Sequence, residues 1–86
     1  MKVLKGKNKF YVKLNGNEAH LLFRVEGNKM NIYEVFVPEK YRGRGIAKKL
    51  TIEALNYAKS NKMKVVPKCS YVKEFINKNR EWTKLI

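Results

Sequence analysis

At 86 residues the chain has room for one domain, residues 1–86, with a modest core and little space for a second site. A hydrophobic fraction of 44% and an aromatic fraction of 12% exclude disorder at this level of charge, and no apolar run is long enough to span a membrane. Lys and Arg number 20 against 7 acidic residues, a formal net charge of +13 that admits nucleic acid or another polyanion as a partner. The opening M-K-V-L-K-G-K-N lacks the apolar segment of a secretory signal, which places the expected protein in the cytoplasm. Phe10, Val12 and Leu14 then alternate with Tyr11 and Lys13, the period of a strand buried on one face. Asn15-Gly16 turns the chain, and Ala19, Leu21, Phe23 and Val25 form the apolar row of a second strand. His20 lies on the opposite face of that strand, where a surface role is expected. Gly27-Asn28 marks another turn, and Met30 to Val37 is the third strand of an antiparallel meander.

That third strand runs into the stretch on which the chemistry depends, V-F-V-P-E-K-Y-R-G-R-G-I-A-K-K-L from Val35 to Leu50. Pro38 has no amide hydrogen and stops ladder pairing. Gly43 and Gly45 follow in a polar turn, and a helical pattern starts at Ile46. Glycines beside the first turn of a helix let backbone approach a ligand, and the first helical amides have no partner within the helix. Such a turn favours anions, and Arg42 and Arg44 on either side suit a diphosphate better than a lone carboxylate. G-x-G pairs also close ordinary strand-to-helix connections. No third glycine completes G-x-G-x-x-G and no G-x-x-x-x-G-K-[ST] occurs, so neither nucleotide-binding loop is present.

A helix from about Gly45 to Ser60 places Ile46, Leu50, Ala54 and Ala58 at four-residue steps, with Ala47, Thr51 and Leu55 on an adjoining row. Lys48 and Lys49 lie off those rows, close enough to the turn to assist phosphate binding. Met63 to Val66 is a fourth strand, and after a crossover helix it can lie parallel to the third. Pro67 ends its pairing. Ser70 is a candidate cap for a second helix with the stripe Val72, Phe75 and Ile76, which Asn77 to Asn79 interrupt. Trp82, Leu85 and Ile86 are expected to anchor the tail. Lys and Arg are scattered through every element without a tight basic block, so a solvated surface that attracts phosphorylated ligands is preferred to a nucleic-acid-reading face. Cys69 and His20 alone are too few to build a zinc site, and one cysteine makes no internal disulfide.

The order Arg42-Gly43-Arg44-Gly45-Ile46-Ala47 resembles the R-x-x-G-x-A acetyl-CoA signature of the GNAT superfamily of N-acetyltransferases, with V-P before it. C-S-Y-V at Cys69 to Val72 and N-R-E-W at Asn79 to Trp82 resemble the ending of a short branch of that superfamily. The three motifs occur in the branch's order from Val35 to Trp82. The resemblance implies an α+β fold with a GNAT-like core: a meander of three antiparallel strands, a helix, a fourth strand parallel to the third, and a C-terminal helix. It also implies acetyl-CoA as cosubstrate. Its diphosphate would sit on the amides of Arg42, Gly43, Arg44, Gly45, Ile46 and Ala47, with Lys48 nearby and Val35, Phe36 and Val37 along the pantetheine arm. The implied reaction is acyl transfer to an amine, on a small molecule or a protein lysine, by a monomer or homodimer.

Three side chains are candidates for the proton chemistry. Glu34 stands where many relatives have histidine, and serves as base if its surroundings bring its titration toward neutrality, or faces Lys29 or Arg44 as a surface group. Cys69 keeps its family position near a helix start, where it accepts the acetyl group, orients substrate, or packs as a small thiol. Tyr71 carries a phenol able to return a proton to a departing thiolate, or is a core tyrosine. The other class consistent with these residues is a non-catalytic module of the same fold that binds CoA or nucleic acid.

Overall fold

A computed structural model covers residues 1–86. Five strands form one sheet in the order of the chain: β1 (Leu4–Lys5), β2 (Lys9–Leu14), β3 (Asn17–Glu26), β4 (Lys29–Phe36) and β5 (Lys64–Pro67). The first four are antiparallel, and β5 lies parallel to β4 after the crossover helix α1 (Ile46–Ser60). A second helix, α2 (Ser70–Lys78), and a 3-10 segment, Arg80–Leu85, complete the chain. The expected α+β arrangement is present, with one addition. The meander has a short edge strand, β1, that pairs Leu4 with Tyr11 and Lys5 with Phe10. Two residues are too few to display an alternation, so only pairing reveals it.

The helical rows read from the sequence are the buried ones, except that Ala47 is only half-buried. Ile46, Leu50, Thr51, Ala54, Leu55 and Ala58 of α1 are buried in one core with Phe10, Val12, Ala19, Leu21, Phe23, Met30, Ile32 and Val65 of the sheet. Thr51 offsets its buried hydroxyl by donating to the Ala47 carbonyl at 2.8 Å. Leu14, Trp82 and Cys69 pack against this core only partly buried, while Val25 and Ile86 are exposed. Ile86 therefore does not anchor the tail, a role carried by Leu85 and by Lys64, whose ammonium donates to the Lys84 carbonyl at 3.0 Å.

Two irregularities in β4 position everything that follows. Its pairing with β3 shifts register between Leu22 and Phe23, so that Leu22 faces Glu34, Phe23 faces Ile32, and Tyr33 is an extra residue, a β-bulge. Partners on adjacent strands share a face, so the bulge leaves Met30 and Ile32 together with Val35 on the α1 side and turns Glu34 and Phe36 to the other side. The second irregularity is where β5 leaves. The parallel ladder ends at Ile32 opposite Pro67, and the Lys68 amide donates to the Ile32 carbonyl at 3.0 Å before the chain departs toward α2. Beyond that level β4 runs on with no strand along its outer edge.

Candidate functional site

The open edge of β4 leads directly into the glycine turn. Pro38 starts a 3-10 turn, Glu39–Tyr41, which brings the chain round so that the Arg42 amide donates to the Glu39 carbonyl at 3.2 Å. The Arg42 guanidinium also donates, through Nε, to the Val37 carbonyl at 2.8 Å and so ties the turn to the end of β4. Gly43 and Gly45 take φ values of 80° and 81°, the left-handed region where a side chain is strained, and Gly45 is the N-cap of α1. The next backbone amide to find an acceptor is that of Lys49, which donates to Gly45 at 3.0 Å. The amides from Gly43 to Lys48 have no acceptor in the protein. No side chain caps the helix start, and a Cβ built at either glycine would have nothing within 4 Å. Unpaired donors, the positive end of a helix of 15 residues and an approach free of side chains are the features that favour an anion. The Arg42 amide, expected to be among the free donors, is engaged with Glu39, and the unpaired amides run from Gly43 to Lys48.

A cavity of about 410 Å³ joins this turn to the edge of β4. Its walls are Val35, Phe36, Val37, Tyr41, Ile46, Ala47 and Tyr71, and its polar end is formed by Arg42, Gly43, Gly45 and Lys48. Of the residues expected to hold a cofactor, Arg44 alone does not line it. Its guanidinium lies 5.4 Å from the centre of the Tyr41 ring and borders a separate hollow of about 380 Å³ beside β1 and β2. Tyr41 is the lining residue the sequence did not single out. It sits in the polar turn between Pro38 and the glycines, where a lone aromatic is the only signal.

The three proton-handling candidates are placed differently. Tyr71, in the first turn of α2, lines the cavity, is 40% exposed and has its ring 6.4 Å from that of Phe75. Burial, and then the nearby Cys69 thiol, push its phenol above the usual value of about 10, so it keeps its proton. It is not a core tyrosine. Cys69 is the N-cap of α2, half-buried against the core and outside the cavity lining. Ser70, expected to cap the helix, is instead its first residue, and no side chain caps this end. Glu34 faces neither Lys29 nor Arg44. Its Oε2 lies 2.6 Å from Nε2 of His20 on the sheet face away from α1. His20 is accordingly not a free surface histidine.

A family model described as GCN5-related N-acetyl-transferase matches residues 9–85. The zebrafish (Danio rerio) protein NATD1 is 35% identical over 78 residues, covering 87% of this chain and 71% of its own length. The human protein NATD1 is 34% identical over 76 residues, covering 85% of this chain and 67% of its own. Among solved structures, a GCN5-like protein from Staphylococcus aureus studied by NMR in solution superposes with a TM-score of 0.80 at 29% identity, over 98% of this chain and 85% of that one.

Proposed function

Since the chain belongs to the GCN5-related N-acetyltransferase family, we propose that it transfers an acetyl group from acetyl-CoA to an amine. The observation that carries this reading is the run of unpaired amides from Gly43 to Lys48, at the head of a cavity that follows the open edge of β4. The residues present suit acetyl-CoA in both parts. Charged phosphates match free N–H donors, the helix dipole and the Lys48 ammonium, while the apolar walls of Val35, Val37 and Ala47 match an uncharged arm. A strand edge without a neighbour also offers backbone groups to an amide-bearing ligand, as an added strand would.

In this reading the amine attacks the thioester carbonyl directly, an amide of the β4 edge holds the oxyanion, and the leaving thiolate is protonated. Positioning supplies most of the rate. Tyr71 is the proton donor to sulfur, because it borders the cavity and its surroundings hold the phenol protonated. Cys69 lies two residues before Tyr71 in sequence but off the cavity wall, which favours a supporting role over a covalent relay.

Isothermal titration of the chain with acetyl-CoA, followed by mass spectrometry of an added alkylamine, tests the proposal. Saturable binding with formation of the N-acetyl product is expected. Binding without product would make the chain a CoA-binding module, and no binding would remove the anion-site reading altogether.

A further inference from the structure

His20 projects from β3 onto the face of the sheet opposite α1, where Glu34 and Phe36 of β4 also emerge. Its Nε2 is 2.6 Å from Glu34 Oε2, and its ring centre lies 5.6 Å from that of Phe36. The other groups around it are Glu18, whose Oε1 is 3.9 Å from Nδ1, Lys9, which holds Glu18 through contacts of 2.9 and 3.0 Å, and Tyr11 across the ladder. An ionised carboxylate only accepts hydrogen bonds, so in the neutral imidazole Nε2 carries the proton and donates to Glu34, leaving the Nδ1 lone pair free. Nothing in the protein uses that lone pair, since Glu18 has no proton to give and lies beyond hydrogen-bond range. Phe36 connects this pair to the site, being a wall of the cavity as well as the ring against His20.

We propose that His20, oriented by Glu34, is the group that takes the proton from the acceptor amine, which reaches the cavity over the open face of the sheet past Phe36. This rests on the transferase reading above and assigns Glu34 a positioning role in place of the role of base. The ammonium form of the acceptor gives one proton to Nδ1, directly or through one water. The freed lone pair attacks the thioester carbonyl carbon, the C–N bond forms and the C–S bond breaks. The nitrogen's second proton ends on the CoA sulfur. His20 releases its proton to solvent, so the products are the amide, the CoA thiol and one proton.

The test uses the full chain with acetyl-CoA and n-butylamine as the acceptor probe. His20→Gln is expected to lower kcat about 100-fold, the scale of general-base catalysis, while the acetyl-CoA Kd stays within about twofold. Added imidazole restores part of the rate to that variant and does not stimulate the wild type. Glu34→Ala, on the more exposed partner, lowers kcat about tenfold, and the double variant is no slower than His20→Gln alone, because the two act as one unit. A folded His20→Gln that turns over at the wild-type rate overturns the assignment, as does a loss that imidazole leaves untouched. Should His20→Gln not fold, a Glu34→Ala variant with unchanged kcat overturns it independently. A wild type that binds acetyl-CoA yet never acetylates the amine overturns the transferase reading itself, and the two failures are thereby distinguished.

Discussion

Replacing Gly45 by valine perturbs the proposed anion site at one backbone position and nowhere else. Gly45 sits at φ 81°, and a Cβ there would meet nothing within 4 Å, so the cost is conformational and not steric. An L-residue in the left-handed region is strained by roughly 1–2 kcal/mol, with a β-branched side chain at the upper end. For a domain of this size that corresponds to a melting temperature lower by about 4–8 °C for each kcal/mol. Relief of the strain rotates the peptide units on either side of Gly45 and re-aims amides in the middle of the unpaired set from Gly43 to Lys48. One lost hydrogen bond to a charged phosphate is worth about 1.5–3 kcal/mol, hence a rise in Kd of about 10- to 150-fold. Gly16→Val is the matched control, since Gly16 has φ 74° in the β2–β3 turn, is equally open, and takes no part in the site. Both variants should lose similar stability by thermal denaturation, and only Gly45→Val should lose acetyl-CoA affinity by titration calorimetry. A folded Gly45→Val that binds acetyl-CoA as the wild type does would refute the argument from the free amides.

Tyr71→Phe should lower kcat by about 100-fold or less with little change in acetyl-CoA affinity, as loss of a proton donor to the leaving sulfur requires. The same variant tests the stability linkage: a phenol pushed upward by burial and by Cys69 stabilises the fold fully below its unfolded value near 10, and that stability is lost as pH rises through the folded value. Denaturant titrations from pH 9 upward should therefore show a decline in the wild type that Tyr71→Phe lacks, and parallel curves would contradict the assignment. Cys69→Ala should keep transfer within about tenfold and follow ternary-complex kinetics, because a positioned amine needs no covalent relay. An acetylated Cys69 that passes its group to the amine at the steady-state rate would refute direct transfer. The scattered charge of +13 predicts weak nucleic-acid binding that falls steeply with salt. Sequence-selective DNA binding at physiological salt, measured by fluorescence anisotropy, would contradict it.

Much of this protein is legible in its sequence because the relevant rules are local. Alternation in Phe10 to Leu14 and Ala19 to Phe23, the four-residue rows of α1 and the Asn15-Gly16 turn each depend on near neighbours, and the corresponding elements form where expected. The glycine turn is likewise local, since φ at Gly43 and Gly45 and the start of α1 follow from a few residues. The pairing of His20 with Glu34 is not. A regular hairpin at Gly27-Asn28, where Glu26 faces Lys29, would carry Glu34 opposite Leu21 and bury it beneath α1. The single extra residue at Tyr33 moves Glu34 opposite Leu22, onto the open face diagonal to His20, and no residue type announces that bulge in advance. The cavity has the same origin. Pro67 marks where β5 stops, but only the packed sheet decides that it stops beside Ile32, leaving Val35 to Val37 without a neighbour on that edge. The tertiary structure likewise turns Arg44 toward Tyr41 and leaves Cys69 outside the wall while Tyr71 is within it. Periodicity assigns a side chain to a face of its own element, whereas the meeting of two faces is set by register and by where a ladder ends, through contacts distant in the chain.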